Sequence, residues 1–275
     1  MYKIHEEENG NKIIGTYPEL KKSTITFEGK NNILFCEDNV TLSNSNIKFR
    51  GDNTLIYLRS SKHAYILNAT IFNDSVLHFG TNTYTNQSVR IILSEQKHCF
   101  VGDDCIFSTG IVMRNADPHL VYNCADGARL NPSRSIYIGD HVWVGQDSLI
   151  LKGSQIDSGS IIGAGSVVAG KKVPHNTTWA GNPCKKIKDG VFWDVSCVHT
   201  WTEEKTEISQ SYEDFIKRYK IKNEPDAFIF ECNDTECIPW ADLESKFSPK
   251  FTPMEKLEYI SDLHSKKTKN RFVHS

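Results

Sequence analysis

The chain lacks any long apolar run. Hydrophobic residues make up 39% of its 275 positions, and the longest uninterrupted stretches are only a few residues. A membrane-crossing helix needs about 20, so no transmembrane segment is expected. A charge imbalance is also missing. The net charge of −2 provides no global basic field for nucleic acid or an acidic membrane. The eight cysteines (Cys36, Cys99, Cys105, Cys124, Cys184, Cys197, Cys232 and Cys237) form no CxxC pair and no zinc-finger spacing. Residues 1–15 mix acidic side chains and lysine without an apolar centre, unlike a secretory signal. Cysteines in such a chain are expected as reduced thiols, several of them core fillers. No P-loop or Rossmann fingerprint is present. These absences describe a soluble cytoplasmic protein, long enough for one main domain and an appendage.

What the sequence does contain is a repeat. From Ile138 an aliphatic residue returns every six positions: Val144, Ile150, Ile156, Ile162 and Val168. Four residues after each stand Val142, Ser148, Ser154, Ser160, Ser166 and Lys172, mostly small side chains. Neither a 3.6-residue period nor simple alternation produces this pattern. It suits a triangular solenoid in which three six-residue repeats complete an 18-residue coil, the aliphatic residue pointing inward. Each such burial contributes roughly 1.5–3 kcal/mol. A looser repeat with a 22-residue interval precedes it. Its columns are Phe35, Tyr57, Phe79 and Val101; Ile33, Leu55, Leu77 and Cys99; and Phe49, Ile71 and Leu93. Corner stretches such as Arg50-Gly51-Asp52-Asn53 account for the extra turn residues. A β-sandwich of short alternating strands is the alternative, but sandwiches do not keep such intervals.

The six-residue step runs from Val101 through Phe107 and Met113 to His119, and resumes at Ile138, a 37-residue interval from Val101. Subtracting one 18-residue coil leaves a 19-residue insertion at about 119–137, a length that in a solenoid points to function. The expected organisation is an N-terminal extension (1–22), a β-helix domain (23–189) and a C-terminal helical appendage (190–275). Helical spacing covers 209–219 and 253–264, in pieces separated by Pro225, Pro239, Pro249 and Pro253.

At Ile138-Gly139-Asp140-His141-Val142-Trp143-Val144-Gly145, Ile162-Gly163-Ala164-Gly165-Ser166-Val167-Val168 and Ala180-Gly181-Asn182-Pro183-Cys184-Lys185, the sequence resembles the hexapeptide-repeat acyltransferases, particularly bacterial O-acetyltransferases of sugars and polysaccharides. Upstream, Arg114-Asn115-Ala116-Asp117-Pro118-His119 resembles that family's Asp-x-His segment and is followed by Arg129-Leu130-Asn131-Pro132. The resemblance is strong over about 101–188 and weaker back to about 33. It departs from the family at Ala116, where serine is common, and at Cys184, where alanine is usual. The resemblance implies an all-β, left-handed parallel β-helix, an exception to the right-handed crossover rule. It also implies acetyl-CoA as donor and a homotrimer with its sites at subunit interfaces.

Acetyl transfer to an alcohol needs a base, because a sugar hydroxyl is a weak nucleophile at neutral pH. An imidazole suits that task, and His119, where the coil opens into the loop, is the candidate. Asp117 is a candidate to orient it or to contact substrate. The resemblance places Trp143 as a wall of the acetyl–pantetheine channel. A backbone N–H near Gly145 is a candidate oxyanion donor. Ala164, Gly165 and Ser166 offer a narrow groove for CoA, and Lys171, Lys172, Lys185, Lys186 and Lys188 supply cations for its phosphates. Arg114, Arg129 and Asn131 are candidates for acceptor binding or for bracing the loop. No metal is expected to be required. The acceptor is expected to be a sugar or surface polysaccharide, with no nucleic acid bound. Three other readings remain open at this point. One is N-acetylation of an amino sugar or nucleotide-sugar. Another is a γ-carbonic-anhydrase-like hydratase using His98, His119 and His141. The third is a non-catalytic scaffold.

Overall fold

The computed structural model describes residues 2–219, 229–230, 238–265 and 272–273. Short strands stack into three largely parallel sheets, the sides of a solenoid of about seven turns. The first sheet includes Lys12–Gly15, Ile33–Cys36, Leu55–Leu58, Val76–Phe79, Cys99–Val101, Ile136–Ile138, Gln155–Ile156 and Lys172–Val173 in spatial order. The second runs from Tyr84–Thr85 through Ile106–Phe107, Trp143–Val144, Ile161–Ile162 and Thr178–Ala180 to Lys185–Lys188. The third holds Thr24–Phe27, Asn46–Phe49, Leu67–Ile71, Val89–Leu93, Val112–Arg114, Leu149–Leu151 and Val167–Val168.

The six-residue column is the interior. Ile138 pairs in register with Ile156, Val144 with Ile162, and Ile150 with Val168, so each coil here spans three repeats. All six side chains are buried in one core cluster. The serines that follow are buried at the corners, where a small side chain fits and its hydroxyl meets a backbone carbonyl. Ser160 Oγ, for example, donates to Pro174 O at 2.7 Å.

The columns of the looser repeat need one correction. Phe49, Ile71 and Leu93 do align in register, but Tyr57 pairs with His78, not Phe79. The coil from Tyr57 to His78 is thus one residue shorter than the fixed interval, and a one-residue change moves a column from one sheet face to the other. Phe35 and Tyr57 therefore face outward, while Phe79 and Val101 face inward. Likewise Ile33 and Leu55 point out, and Leu77 and Cys99 point in. The fixed interval hit apolar residues throughout because this sheet is buried on both faces.

The cover on its outer face is the C-terminal helical region. Among the described residues four helices follow the solenoid: α1 (Glu203–Ile208), α2 (Tyr212–Tyr219), α3 (Trp240–Lys246) and α4 (Pro253–Ser265). The spacing over 209–219 and 253–264 corresponds to α2 and α4. The short α1 and α3 leave no such signal, each having too few turns to show a period. Pro225, Cys232 and Cys237 lie outside the described residues. Trp240, Leu243, Phe247, Leu257, Ile260 and Leu263 pack on Phe35, Tyr57, Phe100 and Tyr137. The Trp240 ring stacks on Tyr137 at 5.1 Å, and its Nε1 donates to the buried Asp157 carboxylate at 3.1 Å. Strands with both faces covered read as unbroken apolar runs, as in Leu55-Ile56-Tyr57-Leu58.

Coil stacking also begins earlier than 23. Lys12–Gly15 already pairs in parallel with Ile33–Cys36, and Ile4–Glu6 closes that edge antiparallel. Among the described residues no helix is long and apolar enough to cross a membrane. The described cysteines are free, and Cys36, Cys99, Cys105 and Cys184 are buried.

If α3 and α4 are seated on the first sheet as described, Trp240→Ala should cost about 3–5 kcal/mol, the usual cost of emptying a large aromatic site. A denaturant titration in which that variant lost less than about 1 kcal/mol would contradict the packing.

Candidate functional site

The inserted loop leaves the third sheet after Val112–Arg114 and rejoins the first at Ile136–Ile138. It therefore spans 115–135. Tyr137 belongs to the re-entering strand, not to the loop, and its side chain faces α3. Within the loop the chain folds back on itself: Tyr122 bridges Arg129, and Asn123 N donates to Ala128 O at 2.8 Å.

Side chains from neighbouring coils hold the loop's base. Arg129 pairs with Glu95 at 2.9 Å, and Ser133 Oγ also donates to the Glu95 carboxylate. Those partners hold the Glu95 carboxyl at about 2, below its ordinary range. Lys152 Nζ lies 2.6 Å from Asp117, lowering that carboxyl as well. Asn131 is the central brace. Its Nδ2 donates to Asp117 Oδ2 at 3.2 Å and to His119 O at 2.7 Å, and its Oδ1 accepts from Val121 N at 2.9 Å. Arg114 Nε turns back to Ala116 O at 3.0 Å. Arg114, Arg129 and Asn131 thus brace the loop, and the Asp117 carboxylate is engaged by Lys152 and Asn131. The His119 side chain is left exposed, its backbone pinned at the carbonyl.

A second group lies on the second sheet and its corner with the third. Trp143 is 41% exposed, with Nε1 3.4 Å from Ser108 Oγ. In the next coil Ala164 and Gly165 form an exposed corner. Gly165 adopts a φ of +67°, and a Cβ built there would meet nothing within 4 Å. Two expectations change here. The Gly145 amide donates to Ile162 O at 2.7 Å, so the coil ladder uses it and it is not a free oxyanion donor. Ser166 is fully buried, its Oγ donating to Gly163 O at 2.5 Å and accepting from Gly181 N at 3.1 Å, so its hydroxyl serves the corner. Lys171 and Lys172 stand at the last coil of the first sheet. Lys185 and Lys186 lie on the closing antiparallel strand of the second, exposed, with Lys186 paired to Asp189 at 2.9 Å. Lys188 is on the same strand.

Trp143, Gly145, Ala164 and Gly165 therefore share one side of the chain. His119 emerges at the corner between the third and first sheets, with the whole third sheet between the two groups.

The repeated coils have counterparts among known proteins. Residues 135–170 match the family described as bacterial transferase hexapeptide (six repeats). A polysialic acid O-acetyltransferase of Neisseria meningitidis is 30% identical over 199 residues, spanning 72% of this chain and 92% of that protein. The chain belongs to the hexapeptide-repeat O-acetyltransferases. A polysialic acid O-acetyltransferase of Escherichia coli O1:K1 is 39% identical over 102 residues, covering 37% of this chain and 33% of that protein. Among solved structures, the polysialic acid O-acetyltransferase OatWY superposes with a TM-score of 0.61 at 26% identity, over 74% of this chain and 96% of that one.

Family membership gives the coils the left-handed β-helix fold and replaces the scaffold reading with an enzyme. The hydratase reading also loses its basis in the geometry. His98 is buried with Nδ1 accepting from Val76 N at 3.1 Å and Phe247 against its ring. His141 is buried beneath Trp193. Neither shares a surface with the exposed His119.

Sequence reasoning overlooked Glu95, Lys152 and Trp193. Coil arithmetic carried a signal for the first: Glu95 stands one 22-residue interval before Asp117.

The loop brace is pH-linked. Because the folded Glu95 carboxyl is depressed from 4.5 to about 2, its contribution is present above 4.5 and lost as pH falls toward 2. Glu95→Gln should expose the loop to trypsin at Arg129 at neutral pH and remove the dependence over that interval. Unchanged cleavage would show that Glu95 does not order the loop.

Proposed function

We propose that this O-acetyltransferase transfers the acetyl group of acetyl-CoA to a hydroxyl of a bacterial surface polysaccharide or its precursor, a sialic-acid polymer being the first acceptor to test. The observation that carries this reading is the similarity to the Neisseria polysialic acid O-acetyltransferase across 92% of that protein. His119 is the general base. Its ring is exposed on a braced loop, and a positioned imidazole can take the hydroxyl proton as the oxygen attacks the thioester carbonyl. As the C–S bond breaks, the imidazolium can return that proton to the departing CoA sulfur. Asp117 acts through the loop, holding Lys152 and Asn131 at its base. Trp143 and the Ala164-Gly165 corner bound the donor channel, with Gly145 on its wall and room beside Gly165 for a thin pantetheine arm. Lys171, Lys172, Lys185 and Lys186 face the CoA phosphates. The donor wall and the base occupy different sides of one chain, so a complete site takes His119 from one subunit and Trp143 from another. A shared site requires an oligomer, and the family resemblance makes it a homotrimer.

Two measurements test this. His119→Ala should remain folded and lose roughly 10²–10⁴-fold in kcat on a polysialic acid acceptor, the usual contribution of a general base. Near-normal turnover in the variant would reject His119. In the second test, inactive His119→Ala and Trp143→Ala subunits are mixed under exchange conditions. Mixed oligomers should recover activity, because some interfaces pair an intact His119 with an intact Trp143. No recovery in verified mixed oligomers would place the site within one subunit.

A further inference from the structure

Past the solenoid's closing strand, Lys185–Lys188, the chain doubles back over the corner between the first and second sheets. Val191 N donates to Asn176 O at 2.9 Å, and Asn176 Nδ2 returns a bond to Val191 O at 3.1 Å. Trp193 then lies flat on His141, with ring centroids 3.8 Å apart and planes 2° from parallel. The contact is reciprocal in hydrogen bonds as well. His141 Nε2 donates to Trp193 O at 2.9 Å, and Trp193 Nε1 donates to His141 O at 3.0 Å. Both residues are buried. His141 occupies a corner with φ of +52°, two residues before Trp143. The Trp193 indole meets that of Trp143 at 6.2 Å and 52°. Beyond it the strap is tied to α2: Phe192 packs edge-on against Tyr212 at 5.0 Å, and Tyr212 Oη donates to Asp194 at 3.4 Å.

We propose that Trp193 is a positioning residue of the acetyl-donor channel, the fixed stop against which Trp143 sets its ring. The inference rests on the reading that Trp143 walls that channel. A half-exposed indole has several staggered side-chain conformations open to it. Trp193 is immobile because two hydrogen bonds and a stack lock it to the coil corner, so it removes the conformations that would swing Trp143 toward that corner. The donor then meets a wall already in place, which saves the ordering that binding would otherwise require. The C-terminal region becomes part of the donor site through this strap, separately from α3 and α4 on the first sheet.

The test uses the full chain, acetyl-CoA and a fixed polysialic acid acceptor. Trp193→Ala should raise the acetyl-CoA KM about tenfold with kcat within about threefold, the pattern of lost donor binding. Trp193→Phe keeps a ring against His141 and Trp143 and should stay within about twofold of wild type. His141→Asn, which tolerates the left-handed corner, removes the stacking surface and should raise the donor KM in the same direction. It carries the test if Trp193→Ala fails to fold. The indole exciton signal in circular dichroism should disappear in Trp193→Ala and Trp143→Ala alike. In the double variant the donor KM should match that of Trp143→Ala alone, because both changes remove one interaction. A purely structural strap would lower the melting temperature and leave the donor KM unmoved. That result in folded Trp193→Ala or His141→Asn, with Trp143→Ala still raising the donor KM, overturns the proposal alone. An unchanged donor KM in Trp143→Ala overturns the channel reading and this inference together.

Discussion

In-register stacking of one coil on the next is the constraint from which the rest of the molecule follows. Each inward residue rests on its equivalent in the neighbouring coil, as Val144 does on Ile162. Each strand hydrogen-bonds to the same position one turn away. A chain built this way must keep its strands in phase but is free at its corners. The inserted loop uses that freedom. It lengthens the path between Val101 and Ile138 to twice that of an ordinary coil, yet those two residues pair directly and Met113 still pairs with Ile150. Loop closure becomes only slowly more costly with length, about 0.6 kcal/mol per doubling. A large excursion at a corner is therefore compatible with an undisturbed interior.

The three outer faces of the solenoid have different fates. The first is covered by α3 and α4, which bury aromatic residues on both partners. The second carries Trp143 on an interior strand, with Trp193 closing one flank. The third shows alternating burial along Leu67–Ile71 and Val89–Leu93, one side in the core and the other turned outward. The chain covers one side with its own C-terminal helices, carries Trp143 and the Ala164-Gly165 corner on the second side, and presents His119 at the corner between the third and the first. This division gives the C-terminal region two structural roles, a cover for the first sheet and a clamp beside Trp143.

The loop that presents His119 is ordered by charge and amide contacts, not by apolar burial. Leu120, Val121, Tyr122 and Leu130 are all exposed, so the base of the loop depends on Glu95, Lys152 and Asn131. Exposed ion pairs contribute little individually. Here they converge on a short base with Asn131 bonding three groups at once, and geometry more than energy is their contribution. The role proposed for His119 needs a held backbone and an exposed ring, and this arrangement supplies both.

The sequence alone determined what is periodic. An aliphatic residue every six positions can be satisfied by few backbones, so the coil, its length, the position of the insertion and the family resemblance were legible before any coordinates. So were the motif positions of His119 and Trp143, whose roles in the reaction are proposed. Tertiary structure decided whatever depends on which face a side chain takes. A single coil one residue shorter than its neighbours moved Phe79 and Val101 inward while Phe35 and Tyr57 stayed outward, and no interval count registers that when both faces are apolar. It also decided which polar groups are already engaged: the Gly145 amide in the ladder, the Ser166 hydroxyl at its corner, and Asp117 with Lys152. The Trp193 contact with His141 joins residues 52 positions apart outside any repeat. Contacts between non-repeating segments leave no periodic trace, and only the folded chain brings them together.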